Sequence, residues 1–276
     1  MSYKRILTIQ DISCVGQCSL TVALPILSAC GLETAVLPSA VLSTHTGGFS
    51  GYTFRDLTDD IPAIAAHWQK ENIKFDAIYS GYLGSVAQIE MVKDIMQTAG
   101  KDGYLKIVDP AMADNGKLYP AFNGEYVKYM AELCGTADIV IPNITEASFL
   151  VGEQYREIYG DDYIKVLCEK LVQLGAKTVV LTGVSYKEGC TGVAVWEKGD
   201  LRYYEHEKLP KGCHGTGDVF ASAFAGALLN GKDAYMAAKI AADFTLNCIK
   251  VTQSDADHWY GVKFEVCLPQ LFKDLQ

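Results

Sequence analysis

A glycine turn followed by an acidic residue is the sharpest chemical feature of the sequence. Residues 212–218 read Gly-Cys-His-Gly-Thr-Gly-Asp, and the small residues that follow are typical of a buried helix. Unpaired backbone N–H groups at a helix N-terminus carry partial positive charge and bind anions. We expect the backbone of Gly215, Thr216 and Gly217 to hold a developing phosphoryl oxyanion, with Asp218 placed to accept a hydroxyl proton. An ordinary helix cap gives the same pattern, and the turn is not a P-loop.

Acidic residues also follow two of the predicted strands. Asp109 ends one strand before Pro110, with Asp114 five residues beyond Asp109, and Asn143 and Glu146 follow the next strand. Carboxylates and water are the ligands that Mg²⁺ prefers, and Mg²⁺ often keeps several waters while it touches a nucleotide's phosphates. Taken singly, Asp109 is typical of a proline turn and Glu146 of a solvated helix start. Taken together, they lie where one α/β active site would gather them.

The elements that must position these residues alternate between strands and helices. Strands are predicted at Lys4–Gln10, Thr34–Pro38, Phe75–Ser80, Leu105–Asp109, Asp138–Pro142, Thr178–Thr182, Gly192–Trp196 and Arg202–His206. Helices are predicted at Ser19–Cys30, Ile61–Glu71, Ala87–Gly100, Tyr126–Cys134, Asp162–Leu174, Gly217–Asn230, Ala234–Ile249 and Leu268–Leu275. The alternation predicts one α/β domain over residues 1–276, with a mainly parallel sheet and a late hairpin. Residues 39–56, rich in Ser, Thr and Gly, predict a flexible flap.

The composition limits the class of protein before any motif is used. The chain has 276 residues, of which 49% are hydrophobic and 21% are charged, the ordinary balance of a globular domain. A formal charge of -9 argues against a nucleic-acid partner held by bulk electrostatics. The sequence has no stretch of about 18 apolar residues that would predict a membrane span, and the first residues lack a secretory pattern. We therefore expect a cytoplasmic protein.

Nine cysteines are scattered through the sequence without any Cys-x-x-Cys pair. In a cytoplasmic chain, irregular spacing favours reduced and mostly buried thiols over disulfides or a zinc site. We expect eight of them to be packing residues and Cys213 to lie beside the anion site.

Taken together, the motifs resemble those of the ribokinase-like superfamily, and within it the pyridoxal and pyridoxamine kinases of vitamin B6 metabolism. The segments that carry the resemblance are Ile9-Gln10, Ser43–Gly47, Ser80–Ser85, Asp109–Tyr119, Pro142-Asn143 with Glu146, and Gly215–Asp218. They cover nearly the whole chain in the family's order. The glycine turn marks only the superfamily, whereas the Ser-x-His-Thr and Ser-Gly-Tyr-Leu-Gly-Ser segments point to the vitamin B6 branch.

The resemblance implies a three-layer α/β/α sandwich that transfers phosphate from ATP to the 5'-hydroxymethyl group of a pyridine ring. Asp218 is then similar to the family's general base, and the glycine turn is similar to its anion hole. Asp109 and Glu146 are similar to the residues that arrange Mg²⁺ and its waters. The residues that the resemblance assigns to ATP are Asp109, Asn143, Glu146, Thr182, Leu209, Gly215 and Gly217. The family likeness also implies a homodimer, and it leaves open a monovalent cation such as K⁺.

The resemblance also assigns residues to the vitamer, namely Asp11, His45, Thr46, Tyr82 and Asp218. His45 and Thr46 belong to the flap, and Tyr82 would form an aromatic wall for the ring. Asp11 departs from the family, which usually has a serine there. A carboxylate favours a cationic partner, so we hypothesise that Asp11 shifts preference from pyridoxal toward pyridoxamine. The alternative is that Asp11 faces away and Ser13 or a backbone group makes the contact.

Other functions remain compatible with the same motifs. A hydroxymethylpyrimidine kinase would share the fold, although such relatives place a cysteine where Asp218 stands. A sugar kinase of the superfamily would usually show more Asn and Asp after the first strand. A non-catalytic vitamer-binding sensor would have no need of Asp218, Asp109 or Glu146, all of which are present.

Overall fold

The architecture comes from a computed structural model that describes residues 3–210 and 213–276. The strands are β1 Arg5–Ser13, β2 Glu33–Leu42, β3 Phe54–Asp56, β4 Phe75–Ser80, β5 Gly100–Val108, β6 Ala113–Asp114, β7 Lys117–Leu118, β8 Ile139–Val140, β9 Thr178–Val184, β10 Cys190–Glu197 and β11 Asp200–Glu207. The helices are α1 Leu20–Ala29, α2 Ile61–Lys70, α3 Val86–Thr98, α4 Gly124–Gly135, α5 Ile144–Val151, α6 Asp161–Leu174, α7 Thr216–Leu229, α8 Ala234–Gln253 and α9 Leu268–Asp274, with a 3-10 turn at Glu265–Cys267 before α9.

Nine of these strands form a single sheet in the order β11-β10-β9-β8-β5-β4-β1-β2-β3. The six strands from β9 to β2 run parallel, while β3 at one edge and the β10–β11 hairpin at the other run antiparallel. The short strands β6 and β7 pair separately. The prediction of a mainly parallel α/β sheet with a late hairpin is confirmed.

Helices cover both faces of the sheet, and each face has its own apolar core. Residues of α1, α7 and α8 form one core, and residues of α3, α4, α5 and α6 form the other. Successive residues of a strand point to opposite faces, so Ile6 belongs to the first core and Leu7 to the second. This two-sided burial explains the continuous apolar runs of the central strands and gives the three layers that the resemblance implied.

The first strand is longer than predicted and irregular near its end. Its pairing with β2 shifts register between Gln10 and Ile12, so Asp11 lies at the irregularity. The predicted strand ended at Gln10, which would have placed Asp11 in a loop. A register shift of this kind redirects a side chain. Here the redirected side chain is that of Asp11, which the resemblance assigns to the substrate.

Strand residues stand at both ends of residues 39–56, the range predicted as a flap. Ser39 to Leu42 complete β2 and are mostly buried, and Phe54 to Asp56 pair with that strand as β3. These ends read Ser-Ala-Val-Leu and Phe-Arg-Asp, so the residues rich in Ser, Thr and Gly are those between the two strands. We call the remaining residues 43–53 the flap loop.

The cysteines are reduced thiols, as predicted, but they are not all packing residues. Five are buried and three are partly buried, whereas Cys14 is exposed. None of the helices in the described residues is long and apolar enough to cross a membrane.

Candidate active site

The glycine turn predicted from the sequence starts helix α7. Its first residue, Gly212, lies outside the described residues. Gly215 is the N-cap and has a left-handed backbone with φ of 78°. A Cβ atom at Gly215 would lie 2.1 Å from the backbone oxygen of Gln17, so a side chain is excluded by sterics as well as by the positive φ. The helix start is thereby pressed against the turn that precedes α1.

Asp218 is the third residue of α7, and its carboxylate binds a different segment of the chain. Oδ2 accepts a hydrogen bond of 2.9 Å from the backbone N–H of Ser19. Burial raises the pKa of Asp218 to about 7, the N–H of Ser19 lowers it, and the nearby Asp11 raises it. A carboxyl group with a pKa near neutrality has the proton affinity that a general base needs.

Helix α5 begins with a closed capping box instead. Asn143 Oδ1 accepts the N–H of Glu146 at 2.9 Å, and Glu146 Oε2 accepts the N–H of Asn143 at 2.8 Å. Glu146 Oε1 accepts the N–H of Met112 at 3.1 Å, and Asn143 Nδ2 donates to the oxygen of Ala113 at 2.8 Å. The amide group of Asn143, assigned to ATP by the resemblance, is thus occupied in holding the loop after β5.

Asp109 and Glu146 form a buried acidic pair beside Asp218. Burial raises the pKa of Asp109 well above its usual range, and the charges of Glu146 and Asp218 add to the shift. Burial also raises the pKa of Glu146 to about 7, against the N–H groups bound to it. Two neighbouring buried carboxylates are oxygen ligands of the kind that Mg²⁺ prefers.

A cation held by Asp109 and Glu146 would need further ligands besides these two carboxylates. The described part of the chain contains no group of three or more His, Cys, Asp or Glu residues that could hold a metal. Mg²⁺ commonly keeps waters and binds substrate phosphates beside one or two carboxylates. Asp109 and Glu146 match that pattern.

Asp11 links the acidic residues to the aromatic side of the site. It is 5% exposed and accepts a hydrogen bond of 2.9 Å from the hydroxyl of Ser13. Burial raises its pKa, whereas hydrogen bonds from Ser13 and Ser19 lower it. Asp11 in turn helps to raise the pKa of Tyr82 to about 12, mainly a result of burial. The side chains of Asp11, Tyr82 and Asp218 therefore share one neighbourhood.

The aromatic wall and the flap residues occupy different surroundings. The ring of Tyr82 is half-buried and lies 5.6 Å from the ring of Phe122. His45 is buried rather than solvent-exposed, and both of its ring nitrogens are bonded to backbone groups. Thr46 is exposed. In this arrangement His45 supports the flap loop, and the Thr46 hydroxyl is one of several exposed hydroxyls of that loop.

Thr182 and Leu209 are the remaining residues that the resemblance assigns to the nucleotide. Thr182 lies in β9 and pairs with Asn143, with its N–H bound to the oxygen of Pro142 at 2.9 Å. Its position beside the start of α5 agrees with the predicted edge of the sheet. Leu209 is partly exposed and belongs to neither apolar core.

Sequence reasoning missed the turn at residues 16–19, which the structure places against the glycine turn. Ser19 donates its N–H to Asp218, and Gln17 closes the space beside Gly215. Both have positive φ values, 55° and 53°. The only local signal is Gly16 between a predicted strand and a predicted helix, which indicates a tight turn but no partner.

Comparisons with known proteins show which sequences and structures the chain is similar to. The sequence model of the phosphomethylpyrimidine kinase family matches residues 29–262. Among curated proteins, a pyridoxal kinase of Granulibacter bethesdensis is 28% identical over 258 residues, which is 90% of each chain.

Two solved structures share the fold over almost their whole length. A candidate phosphomethylpyrimidine kinase from Bacteroides thetaiotaomicron, crystallised with pyridoxal, is 38% identical with a TM-score of 0.92, and the match covers 98% of this chain and 96% of that one. The pyridoxal kinase from Lactobacillus plantarum is 31% identical with a TM-score of 0.91, and the match covers 99% and 98% of the two chains.

Proposed function

This chain belongs to the phosphomethylpyrimidine kinase family, and on that premise we propose that it phosphorylates the 5'-hydroxymethyl group of vitamin B6 vitamers with ATP. The observation that carries the proposal is the carboxylate of Asp218, which is not used to cap its own helix and has a pKa near 7. The choice of a vitamer is supported by the relatives, since one 38% identical protein was crystallised with pyridoxal and a 31% identical one is a pyridoxal kinase.

Asp218 acts in this mechanism as the general base. The vitamer's hydroxyl oxygen forms a bond to the γ-phosphorus as the bond from that phosphorus to the β,γ-bridging oxygen breaks, and ADP leaves. The hydroxyl proton passes to Asp218. The backbone N–H groups at the start of α7, from Gly215 onward, face the charge that develops on the transferred phosphoryl group.

Asp109 and Glu146 would hold the metal that accompanies the nucleotide. When bound, Mg²⁺ would neutralise charge on the phosphate oxygens. The protein's contribution is the pair of buried carboxylates, fixed on one side by the capping box of α5. A cation would relieve the repulsion that raises the pKa of Asp109.

Hydroxymethylpyrimidine is the second candidate acceptor. The family description favours it, because the matching sequence model is that of phosphomethylpyrimidine kinase. Both acceptors are flat heteroaromatic rings with a hydroxymethyl group, so the wall formed by Tyr82 suits either. The buried Asp11 is the residue that we expect to distinguish them, through the protonation of the ring nitrogen.

A phosphorylation panel tests the proposal directly. The enzyme is assayed with MgATP and, in turn, pyridoxal, pyridoxine, pyridoxamine and hydroxymethylpyrimidine, and the ratios of kcat/KM are compared. We expect at least one vitamer to exceed hydroxymethylpyrimidine by about tenfold or more. A higher value for hydroxymethylpyrimidine than for every vitamer would replace the first proposal by the second, and binding of vitamers without any product would indicate a sensor.

A further inference from the structure

The flap loop does not stand free in solvent but packs against a distant part of the chain. The segment 258–261, which follows α8, lies against it, and we call these four residues the clamp segment. Phe49 of the flap loop has its ring 4.7 Å from that of Trp259 and 6.3 Å from that of Tyr260. The flap residues assigned to the vitamer are therefore backed by residues more than 200 positions later in the sequence.

The ring of His45 is the polar connection between the flap loop and the clamp segment. Its Nδ1 accepts the N–H of Gly47 at 3.0 Å, so the ring proton must reside on Nε2. Nε2 then donates to the backbone oxygen of Tyr260 at 2.7 Å. Both bonds are satisfied only in this tautomer, which fixes the ring orientation and with it the backbone that presents Thr46.

The contact of Trp259 with the flap is close enough to require glycine. A Cβ atom on Gly48 would lie 2.7 Å from Cζ3 of the indole ring. Trp259 is nevertheless 42% exposed, so the ring rests on the flap loop rather than inside a core. Its removal should therefore loosen the flap without unfolding the protein.

The clamp segment also contacts the other wall of the site. His258 Nε2 lies 2.7 Å from Gln17 Oε1, and a Cβ on Gly261 would lie 2.7 Å from the side chain of Gln17. The backbone oxygen of Gln17 in turn excludes a side chain at Gly215. One short segment thus touches both the flap loop and the turn that supports the start of α7.

We propose that Trp259 and Tyr260 are positioning residues for phosphoryl transfer, which hold the flap loop against the glycine turn through the Gly48 backbone and the His45 ring. Fixing the flap loop would orient the acceptor and keep water from replacing it as the nucleophile. The effect on turnover rests on the proposed function, but the effect on the flap loop does not.

The first experiment compares Trp259→Ala with Phe272→Ala, which removes an aromatic ring that is 54% exposed on α9, away from the flap. Amide hydrogen exchange is measured on the ligand-free proteins. We expect exchange in residues 43–53 to rise about tenfold in Trp259→Ala, with α3 and β5 unchanged, and to stay at the wild-type level in Phe272→Ala. Unchanged exchange in the Trp259 variant would overturn the proposal, even if the wild-type enzyme accepted none of the vitamers.

The second experiment measures coupling during turnover. In Trp259→Ala, we expect the vitamer KM to rise about tenfold and more ADP to form than phosphorylated vitamer, because water then reaches the γ-phosphate. A purely structural loss of active protein would lower kcat alone and leave the ratio of ADP to product at the wild-type value, and that result would also overturn the proposal.

A double-mutant cycle tests the contact itself. Gly48 has a φ of 83°, so Gly48→Ala carries backbone strain in any background. The steric conflict with the indole exists only when Trp259 is present. We expect Gly48→Ala to raise the vitamer KM at least about fivefold more in the wild type than in the Trp259→Ala background. Equal effects in the two backgrounds would show that the ring does not position the flap.

Discussion

Helices α5 and α7 both begin at the candidate site, and both carry an acidic residue at the third helical position, Glu146 and Asp218. In α5 the N-cap is Asn143, which forms a reciprocal capping box with Glu146. In α7 the N-cap is Gly215, which has no side chain, and Asp218 bonds instead to Ser19 of another segment. The same sequence position therefore closes one helix, whereas in the other it carries a carboxylate that bonds to a distant segment.

The comparison shows that an acidic third residue can either close its own helix start or bond to a distant segment. In α5 the Asn143 side chain accepts the N–H of Glu146, while the Glu146 carboxylate accepts the backbone N–H of Asn143. In α7 the N-cap Gly215 lets the chain turn tightly but offers no side-chain acceptor to the first N–H groups. Burial raises the pKa of both carboxyls to about 7, so the pKa alone does not distinguish the two roles.

The largest expected effect is that of Asp218→Asn on turnover. The amide keeps the shape but cannot accept the hydroxyl proton, so kcat should fall about a thousandfold. Binding of nucleotide and vitamer, measured by calorimetry, should change less than about threefold, because the amide keeps the size of the carboxylate and an oxygen that accepts hydrogen bonds. Near-normal turnover would mean that Asp218 is not the general base. The proposed difference in role between Glu146 and Asp218 would then be wrong.

The pH dependence of kcat/KM is the second test of the same difference. The pKa of Asp218 is raised to about 7, so the carboxyl is protonated and inactive as a base below that pH. We expect kcat/KM to rise about tenfold per pH unit up to about pH 7 and to level off above it. The residual activity of Asp218→Asn should lack this rise with pH. Since ATP titrates in the same way with both enzymes, the variant separates the titration of Asp218 from that of ATP. A wild-type limb retained in the variant would contradict the assignment.

Alanine substitution compares the two carboxylates as structural groups. Glu146→Ala removes the acceptor of the N–H groups of Met112 and Asn143, whereas Asp218→Ala removes the acceptor of the N–H of Ser19. Relief of the buried charge should be similar in both, since both pKa values are about 7. The free energy of unfolding in urea should therefore fall by about 1–3 kcal/mol more for Glu146→Ala. Equal losses of unfolding free energy in the two variants would show that the capping box stabilises the protein no more than the bond to Ser19 does.

The smallest expected effect concerns Asp11, which shares the surroundings of Asp218 but not its role. In Asp11→Ser, the ratio of kcat/KM for pyridoxamine to that for pyridoxal should fall about fivefold, as a favourable interaction with a cationic group of about 1 kcal/mol is lost. Turnover with the better vitamer should stay within about threefold of the parent. An unchanged ratio would indicate that Asp11 faces the hydroxyl of Ser13 and not the substrate.

Much of the framework was determined by the sequence alone, because it depends on local patterns. Alternating apolar strands and amphipathic helices specify a parallel α/β sheet, and the polar residues after the strands must then meet at one edge. For this reason Asp109, Glu146, Asp218 and the glycine turn could all be selected before any coordinates were known. The prediction was less successful at the flap, where residues 39–42 and 54–56 belong to the sheet.

Tertiary structure alone decided which partners these side chains bind and how deeply they are buried. Nothing near Asp218 in the sequence indicates that Ser19 binds its carboxylate, and nothing near His45 indicates the carbonyl of Tyr260. Such contacts join segments about 200 residues apart, and they depend on packing rather than on local propensity. The raised pKa values have the same origin, since burial exists only in the folded chain. The sequence therefore identified the acidic residues of the candidate site. The fold then distinguished Glu146, which caps its helix, from Asp218, the candidate base.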